Sequence, residues 1–307
     1  MRCPNLAELP PPPESVTIWP WTRGSKALPP TMPDGSPWPL ISIVMPSFNQ
    51  DRFLEQAIRS VLLQGYPQLE FIIIDGGSSD GSAATIARYE SWLRHWRSEP
   101  DDGAADALNK GFRLATGEIF SFLNADDFYL PGCLERVATA FHAHASADVL
   151  SGHGYFATDS GELGVPLFSD RWSLNRFSHG ACVLVQPATF FRRDAYERTR
   201  GFRYETSTCW DMELWADMAL AGARFRSMDE FVAAFRLHTG SITGAAGLRQ
   251  LRRRESIAVM ERLRGRPDSF LKPMLRFYHR ARKFSEHPLR TLNQRLYFHR
   301  TIGRWSL

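Results

Sequence analysis

Short apolar runs alternate with helix-like periodicity through the middle of this chain. Residues 40–45 are apolar and partly β-branched, with a proline close to either side, which is typical of a buried strand. Apolar positions then recur at helical spacing over residues 51–63, and the run at 70–74 predicts a second buried strand. A strand, a helix and a strand in this order indicate a βαβ unit with a parallel pair.

The alternation continues to about residue 150. Further helices are predicted over residues 80–97, 104–115 and 131–142, with strands over 118–123 and 148–151. This order predicts the α/β class, an open sheet with helices on its faces. Ligands of such sheets bind beyond the carboxyl ends of the strands, so the chemistry is expected there.

The sequence pattern divides the chain into three parts. Residues 1–39 hold 11 of the 20 prolines, which predicts an extended arm. The arm carries three tryptophans that would pin it to the domain: Trp19, Trp21 and Trp38. The main domain is predicted over 40–244, with halves at 40–150 and 151–244. Its second half has a weak pattern up to residue 206 and then a strong helix over 209–221. Residues 245–307 predict a basic helical C-terminal extension.

Charge is distributed unevenly along the 307 residues, whose formal net charge is +4. Residues 245–307 carry 16 Arg or Lys against 4 Asp or Glu, whereas the remainder carries 21 against 29. Such a tail, with clusters at 252–254 and 276–283, fits peripheral contact with an anionic membrane surface. It equally fits a helical cap on the acidic domain. No recognised nucleic-acid motif accompanies the charge, so we expect no nucleic-acid partner.

The chain has few signs of export or membrane insertion. No apolar run approaches the roughly 20 residues that span a bilayer, and the N-terminus lacks the basic and apolar pattern of a secretory signal. The four cysteines form no CxxC pair, which fits reduced thiols. We therefore expect a cytoplasmic protein whose peripheral contact, if the tail makes it, is with the inner face of the membrane.

Polar segments follow the predicted strands at their carboxyl ends. The three segments are Pro46-Ser-Phe-Asn49, Asp75-Gly-Gly-Ser-Ser-Asp-Gly81 and Asn124-Ala-Asp-Asp127. Parallel strand ends lie along one edge, so these carboxylates are expected to converge there. Carboxylate oxygens suit Mg²⁺ or Mn²⁺, although Asp80 and the pair at 126–127 also fit simple helix caps.

These segments occur together with others in a fixed order. The others are Ser98-Glu-Pro-Asp101, Ala105-Asp-Ala-Leu-Asn-Lys-Gly111, Ala115-Thr-Gly-Glu118, Gln186-Pro-Ala-Thr189 and Trp210-Asp-Met-Glu-Leu-Trp215. Over residues 40–240 the set resembles the inverting family 2 glycosyltransferases of the GT-A fold. The resemblance implies a Rossmann-like, mixed and mostly parallel central sheet flanked by helices. It also implies a nucleotide-sugar binding half at 40–150 and an acceptor half at 151–244.

The resemblance implies a site for a nucleotide diphosphate sugar, usually a UDP-sugar. Its nucleotide-binding residues would be Pro46, Ser47, Phe48, Asn49, Asp75, Gly76, Gly77, Ser78, Asp106, Asn109, Lys110, Asn124 and Ala125. Gly76 stands where many relatives have a second aspartate, which weakens the case for UDP over other nucleotides. Lys110 fits a phosphate contact or an ordinary exposed helix lysine.

The resemblance also implies a metal ion and a catalytic base. The metal, Mn²⁺ or Mg²⁺, would be held by Asp126, with Asp127 and His238. Asn124 replaces the first aspartate of the family's Asp-x-Asp motif, so weaker metal binding is expected. Asp211 would take the proton of the acceptor hydroxyl, although it also fits a plain helix start. The acceptor, a saccharide or a lipid-linked saccharide, would be bound by Gln186, Trp210 and Glu213.

These implications lead to one expected function and one rival. The expected function is inverting, metal-dependent transfer of a hexose-type sugar to an acceptor hydroxyl, in surface polysaccharide or glycolipid assembly. The rival, favoured by Asn124, is a nucleotide-sugar-binding protein of the same fold without turnover. Other nucleotide enzymes are disfavoured because the first strand is not followed by GxGxxG, and no GxxxxGK[ST] occurs.

Overall fold

The structure, a computed structural model, describes residues 3–12 and 16–265 together with seven isolated positions between 274 and 296. Within this part of the chain nine strands form one sheet. The strands are β1 (Ile41–Ser47), β2 (Leu69–Asp75), β3 (His95–Ser98), β4 (Ile119–Phe122), β5 (Phe128–Tyr129), β6 (Val149–Ala157), β7 (Leu163–Leu167), β8 (Thr189–Arg192) and β9 (Phe225–Arg236).

The strand order is β3-β2-β1-β4-β8-β6-β9-β5, with β7 paired to β6. Strands β3, β2, β1 and β4 are parallel, and so is the long β6–β9 pair. β8 runs antiparallel between β4 and β6, which joins the two parallel regions. The prediction of a mixed, mostly parallel α/β sheet is therefore confirmed.

Helices cover both faces of the sheet. They are α1 (Asp51–Leu62), α2 (Ser82–Ala87), α3 (Ala104–Leu114), α4 (Cys133–Ala143), α5 (Leu174–Ser178), α6 (Arg193–Glu197), α7 (Trp210–Leu220) and α8 (Arg249–Arg264). One apolar core lies between the sheet and α1, α4 and the arm, and the other lies between the sheet and α3, α7 and α8. Alternate residues of β1 serve the two cores: Ile43 enters the first and Val44 the second.

The helix predicted over residues 80–97 is wrong. Helix α2 ends at Ala87, a 3₁₀ turn follows at Glu90–Trp92, and His95 begins strand β3. The apolar positions Ile86 and Leu93 are buried as a helix would require. Beyond them, however, the backbone pairs with the open edge of β2, with His95 opposite Ile72. Sheet pairing at this edge overrides the local helical pattern.

The second half of the domain contains elements that its weak sequence pattern does not reveal. Strand β6 runs to Ala157, six residues beyond the predicted strand, and β7, α5, β8 and α6 follow. Strand β9 pairs with β6 along most of its length and has irregular register near His153. Several β9 side chains are only partly buried, so the strand lacks the continuous apolar run by which buried strands are recognised.

The N-terminal arm packs onto the domain through its tryptophans, as expected. Trp19, Trp21 and Trp38 are all buried. The Trp19 indole donates to the carbonyl oxygen of Tyr129 at 2.7 Å, and Arg59 lies over the Trp21 ring. The arm is therefore part of the folded core rather than a detached segment.

Helix α8 packs against α7 and closes the second face of the domain. Arg262 forms ion pairs with Glu213 and Asp217 of α7, and Glu255 accepts from the backbone NH groups of Ser207 and Thr208. The helix ends at Gly265, which has a left-handed conformation. This part of the basic extension is thus a cap on the domain. The predicted cluster at 276–283 lies mostly outside the described residues.

No helix in the described part of the chain combines the length and apolar character needed to cross a bilayer.

Candidate active site

Four strand ends meet at one edge of the sheet, including the three that the sequence predicts. Ser47 at the end of β1 lies opposite Asp75 at the end of β2, and Asp75 lies opposite Ser98 of β3. The end of β4 is in step with them, since Val44 is opposite Phe122. The polar segments that follow these strands therefore surround a common cleft.

A cavity of about 440 Å³ opens at this edge, and we call it the strand-end cavity. Its lining residues are Pro46, Ser47, Phe48, Gln50, Gly76, Asp101, Gly103, Ala104, Ala107, Asn124, Ala125, Asp126, Trp210, Phe235, Gly240, Ser241, Ile242 and Thr243. Segments predicted separately at the ends of β1, β2 and β4 thus contribute to one surface.

Two buried polar atoms in this wall lack a protein partner. Within the described residues, neither Ser47 Oγ nor Trp210 Nε1 makes a hydrogen bond. A buried donor left unsatisfied costs roughly 1–3 kcal/mol, so such atoms are typical of a surface that a polar ligand completes. Phe48 adds an aromatic face that is 59% exposed.

Asp75 shapes the cavity from behind rather than lining it. Its carboxylate is buried and accepts from Ser78 Oγ at 2.6 Å, the Ser78 amide at 2.9 Å and Ser98 Oγ at 2.7 Å. These bonds fold the loop after β2, where Gly77 has φ +77° and lies against Pro100. Asp75 thus supports the loop after β2, and its contact with a nucleobase stays a prediction.

Asn49 and Asp80 tie the neighbouring loops together. Asn49 has φ +52°, and its side-chain oxygen accepts from the Ser79 amide at 2.9 Å. Asp80 accepts from the amides of Asp51 and Ser82, so it caps the first turns of α1 and α2. Both residues hold the rim of the strand-end cavity, and the helix-cap interpretation of Asp80 fits this geometry.

Asp101 is the cavity carboxylate that the sequence analysis did not single out. A Cβ atom added at Gly76 would lie 2.8 Å and 3.0 Å from its two carboxylate oxygens. The Asp101 carboxylate therefore occupies the space into which a side chain at position 76 would project. Burial raises the pKa of this carboxyl, and its Oδ1 accepts from the Gly103 amide at 2.9 Å. Asp101 ends the segment Ser98-Glu-Pro-Asp101, which contributes to the resemblance, but it was not among the predicted site residues because β3, the strand before it, was not recognised.

The segment after β4 separates its two aspartates. Asp126 lines the strand-end cavity, and its carboxylate lies 3.1 Å from Nε2 of His238. Asp127 is buried behind the cavity and accepts from the Arg236 amide at 2.8 Å. Burial, and then the nearby Asp126 carboxylate, raise the pKa of Asp127 well above its ordinary value. Asp127 does not line the strand-end cavity, its Oδ2 has no hydrogen-bond partner among the described residues, and its role as a metal ligand stays a prediction.

The residues present fit a divalent cation only in part. No group of three or more His, Cys, Asp or Glu side chains could hold a metal ion among the residues that the structure describes. Asp126 and His238 offer two ligands side by side. Mg²⁺-type ions commonly bind through one or two protein ligands together with substrate phosphates, so the pair suits an ion that a diphosphate helps to hold.

Asn124 lines the strand-end cavity and is held in place by Gln186. Its amide nitrogen donates to Gln186 Oε1 at 3.1 Å, while Gln186 Nε2 donates to the Phe122 carbonyl oxygen at 3.0 Å. Gln186 is buried and does not line the strand-end cavity. It therefore positions Asn124, and an acceptor contact by Gln186 stays a prediction.

The predicted contacts on α3 are engaged with protein groups. Asn109 bonds the backbone of Phe202 through both ends of its amide, at 2.8 Å and 2.9 Å. Lys110 lies 2.7 Å from Asp106, and this partnership lowers the pKa of Asp106 against the opposing effect of burial. Helix α3 thus anchors the wall of the cleft, and none of these three side chains lines the strand-end cavity.

Asp211 lies in a second cavity of about 270 Å³, which we call the Asp211 cavity. Its lining residues are Phe177, Gly180, Cys182, Val183, Leu184, Thr208, Cys209, Asp211, Met212, Trp215, Thr243, Arg249, Arg252, Arg253, Ser256, Ile257 and Met260. Burial raises the pKa of Asp211 to about 6, against the effects of the Met212 amide and the charge of Arg252. The carboxyl can therefore bind and release a proton near neutral pH.

The two cavities adjoin. Trp210 lines the strand-end cavity and its neighbour Asp211 lines the other, while Thr243 lines both. Arg252 holds this boundary by donating to the Thr243 carbonyl oxygen at 2.8 Å. A reacting group in one cavity is thus next to a group in the other.

Glu213 faces away from both cavities. It is buried beside Arg203 and Arg262 and lines neither of them. Glu213 forms a structural ion pair between α7 and α8, and an acceptor contact by this residue stays a prediction.

The fold is that of the GT-A class of glycosyltransferases. Staphylococcus aureus TarS, residues 1–349 in complex with UDP-GlcNAc, superposes with a TM-score of 0.59 at 18% identity, covering 84% of this chain and 75% of that one. A mannosyltransferase from Pyrobaculum calidifontis in complex with GDP-Man and Mn²⁺ gives a TM-score of 0.56 at 19% identity, covering 93% and 80%.

Sequence comparison identifies the family. Residues 42–209 match the family described as glycosyl transferase family 2, and the chain belongs to that family. An uncharacterised glycosyltransferase of Mycobacterium tuberculosis is 31% identical over 180 residues, which are 57% of this chain and 67% of the relative. A putative teichuronic acid biosynthesis glycosyltransferase of Bacillus subtilis, TuaG, is 28% identical over 223 residues, covering 67% and 82%. The predicted fold and family are confirmed.

Proposed function

We propose that this glycosyltransferase moves a hexose-type sugar from a nucleotide diphosphate donor, of the UDP-sugar type, to an acceptor hydroxyl with inversion at the anomeric carbon. The donor occupies the strand-end cavity and the acceptor enters the Asp211 cavity. The observation that carries the proposal is the position of Asp211, a carboxyl with pKa about 6 in a cavity that adjoins the strand-end cavity.

The donor is held by groups that the protein leaves available. Ser47 Oγ and Trp210 Nε1 would each gain a hydrogen-bond partner in the bound state. Phe48 offers an aromatic face on which a nucleobase can stack. We infer that Asp101 positions the donor in place of a side chain at position 76, because its carboxylate fills that space.

A metal ion bound by Asp126 and His238 would neutralise charge on the leaving diphosphate. The protein's part is to present Asp126 in the wall of the strand-end cavity, with His238 Nε2 3.1 Å from its carboxylate. With only these two ligands, we expect the ion, Mn²⁺ or Mg²⁺, to bind weakly in the absence of donor.

Asp211 carries out the proton transfer. Its carboxylate accepts the proton of the acceptor hydroxyl as that oxygen forms a bond to the anomeric carbon. The bond between this carbon and the diphosphate oxygen breaks on the opposite side, so the configuration inverts. A base with a pKa near 6 is ionised at pH 7 and still basic enough to take the proton.

The acceptor class follows from the relatives. TuaG is described as a teichuronic acid biosynthesis enzyme, and the likeness supports a role in assembling a surface polysaccharide or glycolipid. The acceptor would then be a saccharide or a lipid-linked saccharide. We place the reaction on the cytoplasmic side of the membrane, with peripheral contact through the basic C-terminal residues.

The test is donor turnover in the full chain. UDP-sugars and GDP-Man are incubated with Mn²⁺, and release of nucleoside diphosphate is measured for the wild type, Asp211→Asn and Asp194→Asn. Asp194 is a matched control because it is exposed and lines neither cavity. We expect turnover by the wild type and by Asp194→Asn, its loss in Asp211→Asn by a factor of roughly 10² or more, and inhibition by EDTA. Absence of turnover with every donor would contradict the proposal.

A nucleotide-sugar-binding protein without turnover is the second candidate. The tie between Asn124 and Gln186 favours it, because the residue in place of the first metal-motif aspartate is engaged with protein. This candidate predicts donor binding by calorimetry together with no nucleoside diphosphate release in any variant.

A further inference from the structure

The strand-end cavity has two chemically different ends. Asp126, with His238 beside it, follows β4, whereas Gly76 follows β2 and Asp101 follows β3. Strands β2 and β1 lie between β3 and β4, so the ends of β3 and β4 are roughly 14 Å apart at the usual strand spacing. A nucleoside diphosphate can extend over this distance.

Charge decides which way round the donor lies in the cavity. In the proposed reaction a divalent cation at Asp126 and His238 attracts the diphosphate. The opposite end is unfavourable for phosphate, because the Asp101 carboxylate lines the cavity there and the neighbouring Lys110 is paired with Asp106. The nucleobase, rather than the diphosphate, therefore belongs beside Asp101.

The Asp101 end has space for a flat ring. Phe48 lines the same cavity with an exposed aromatic face, on which a base can stack. Gly76, Gly103 and Ala104 are small residues of this wall, and a Cβ atom at Gly76 would meet the Asp101 carboxylate oxygens. Larger side chains here would fill the space that a base requires.

Asp101 lines the cavity, whereas Asp75 lies behind it. Asp75 is fully buried, and its two oxygens already accept three hydrogen bonds from Ser78 and Ser98. Oδ1 of Asp101 accepts from the Gly103 amide at 2.9 Å. Its Oδ2 accepts no hydrogen bond from any of the described residues, so this oxygen is available to a ligand.

One available carboxylate oxygen distinguishes the bases by the edge that each presents. Uracil has a ring N–H between its two carbonyl groups, and a carboxylate accepts it in a charge-assisted hydrogen bond. Cytosine has a lone pair on the corresponding ring nitrogen, which the carboxylate repels. Guanine presents two N–H groups side by side and needs both oxygens, one of which is held by the Gly103 amide.

We propose that Asp101 recognises uracil by accepting its ring N–H, and thereby selects a uridine diphosphate donor over the cytidine and guanosine counterparts. The inference rests on the proposed function and specifies which residue chooses the nucleotide. Asp101 acts in binding alone, since proton transfer is the role of Asp211.

The test compares the binding of UDP, CDP and GDP to the full chain by titration calorimetry with Mn²⁺ present. The proteins are the wild type, Asp101→Asn and Asp102→Asn. Asp102 is the matched control, since it is the next residue, is exposed and lines neither cavity. In Asp101→Asn the Gly103 amide should retain the side-chain oxygen, which leaves the NH₂ group facing the base.

We expect the wild type to bind UDP at least about tenfold more tightly than CDP or GDP. Asp101→Asn should bind UDP about tenfold more weakly, yet bind CDP no more weakly, because its NH₂ group donates to the cytosine ring nitrogen. The ratio of UDP to CDP affinity should therefore fall, which a merely structural role would not produce. Asp102→Asn should leave all three affinities within about twofold.

Four results would overturn the inference. An unchanged ratio of UDP to CDP affinity in Asp101→Asn would mean that another group recognises the base. Loss of both diphosphates in this variant would make Asp101 a structural residue. GDP binding to the wild type as tightly as UDP would exclude selection of uracil. Equal changes in Asp101→Asn and Asp102→Asn would indicate a general effect of charge.

The inference and the proposed function can fail separately. Donor turnover with a nucleotide preference that Asp101→Asn leaves unchanged removes the inference and keeps the proposed reaction. A preference that changes in Asp101→Asn, without turnover of any donor by the wild type, keeps the base contact and contradicts the proposed reaction.

Discussion

At the scale of single residues, Asp211 combines the catalytic role that we propose with a cost to stability. Burial raises its pKa from 3.8 to about 6, so the folded protein holds this proton more tightly than the unfolded chain does. The carboxyl therefore destabilises the fold increasingly as pH rises from about 4 to about 6, and fully above that range.

Asp211→Asn should consequently be more stable than the wild type at pH 8. A shift of this size corresponds to at most about 3 kcal/mol, so we expect a gain of roughly 1–3 kcal/mol in the free energy of unfolding. The gain should shrink as pH falls through 6 and vanish near pH 3, where the wild-type carboxyl is mostly protonated in both states. Urea unfolding at pH 3, 6 and 8 measures it. If Asp211→Asn were less stable than the wild type at pH 8, the interactions of the ionised carboxylate would have to outweigh the cost of its burial.

Gly76 and Asp101 are a second feature at this scale. The Asp101 side chain fills the space into which a side chain at position 76 would project. Gly76→Asp would bring two carboxylates within contact of each other, since a Cβ there already meets the Asp101 oxygens. Gly76→Asp and Asp101→Gly should each raise the KM for donor roughly tenfold.

The double variant Gly76→Asp/Asp101→Gly restores one carboxylate to this space and should recover most of the donor affinity. A double-variant cycle on KM measures the coupling. Strictly additive effects would show that Asp101 does not stand in for a side chain at position 76.

At the scale of elements, α8 is held to α7 by buried ion pairs. Arg262 pairs with Glu213 and Asp217, both of which are almost fully buried, and Arg203 also contacts them. Removing Arg262 leaves two buried carboxylates with a single remaining arginine. Since α8 also carries the arginines of the Asp211 cavity, loss of its docking would open that cavity.

Arg262→Ala should lower the free energy of unfolding by roughly 2–4 kcal/mol, because buried carboxylates lose a partner. Arg254→Ala on the same helix should change it by less than about 0.5 kcal/mol, since Arg254 is exposed. Chemical unfolding of both variants makes the comparison. Equal, small effects would mean that α8 is not needed for the stability of the domain.

Element prediction from sequence succeeded where packing follows local pattern. β1, β2, α1 and α3 lie within two residues of the predicted bounds, because their apolar periodicity matches the faces they bury. It failed at β3, an edge strand defined by its pairing with β2, and at β9, whose register depends on β6. The residues of β3 and β9 alone do not indicate that these segments pair with β2 and β6.

Prediction of the site residues also succeeded at some positions and not at others. Ser47 and Asp126 line the strand-end cavity together, whereas Trp210, predicted as an acceptor residue, lines this cavity and not the Asp211 cavity. Asp127, Asn109 and Glu213 carry equally suggestive motif positions but satisfy protein partners instead. The direction in which a side chain points depends on tertiary contacts such as Arg236 and Phe202, which are remote in sequence.

At the scale of the whole molecule, the arm connects strand β5 with helix α1 in the first core. Trp19 donates to Tyr129, and its own carbonyl oxygen accepts from Gln56 of α1 at 3.1 Å. Gln56 in turn accepts from the buried Arg236 at 2.6 Å. The arm therefore supports the segment that carries Asp126 through a continuous set of contacts.

Trp19→Ala should destabilise the protein by roughly 3–5 kcal/mol, as expected for truncating a buried tryptophan. Arg23→Ala, in an exposed part of the same arm, should have little effect. Thermal unfolding of Trp19→Ala, Arg23→Ala and the wild type measures this difference. Matching melting temperatures for Trp19→Ala and the wild type would contradict an arm that belongs to the core.

The central claim is that Asp211 acts as the base for a reaction whose donor lies in the adjoining strand-end cavity. The pH dependence of kcat/KM for donor turnover tests it most directly, because that profile follows the ionisation of the free enzyme. The account predicts an acidic limb with half-maximal activity near pH 6, set by the burial of Asp211. A profile that stays flat from pH 5 to pH 8, or an acidic limb that remains unchanged in the residual activity of Asp211→Asn, would contradict it.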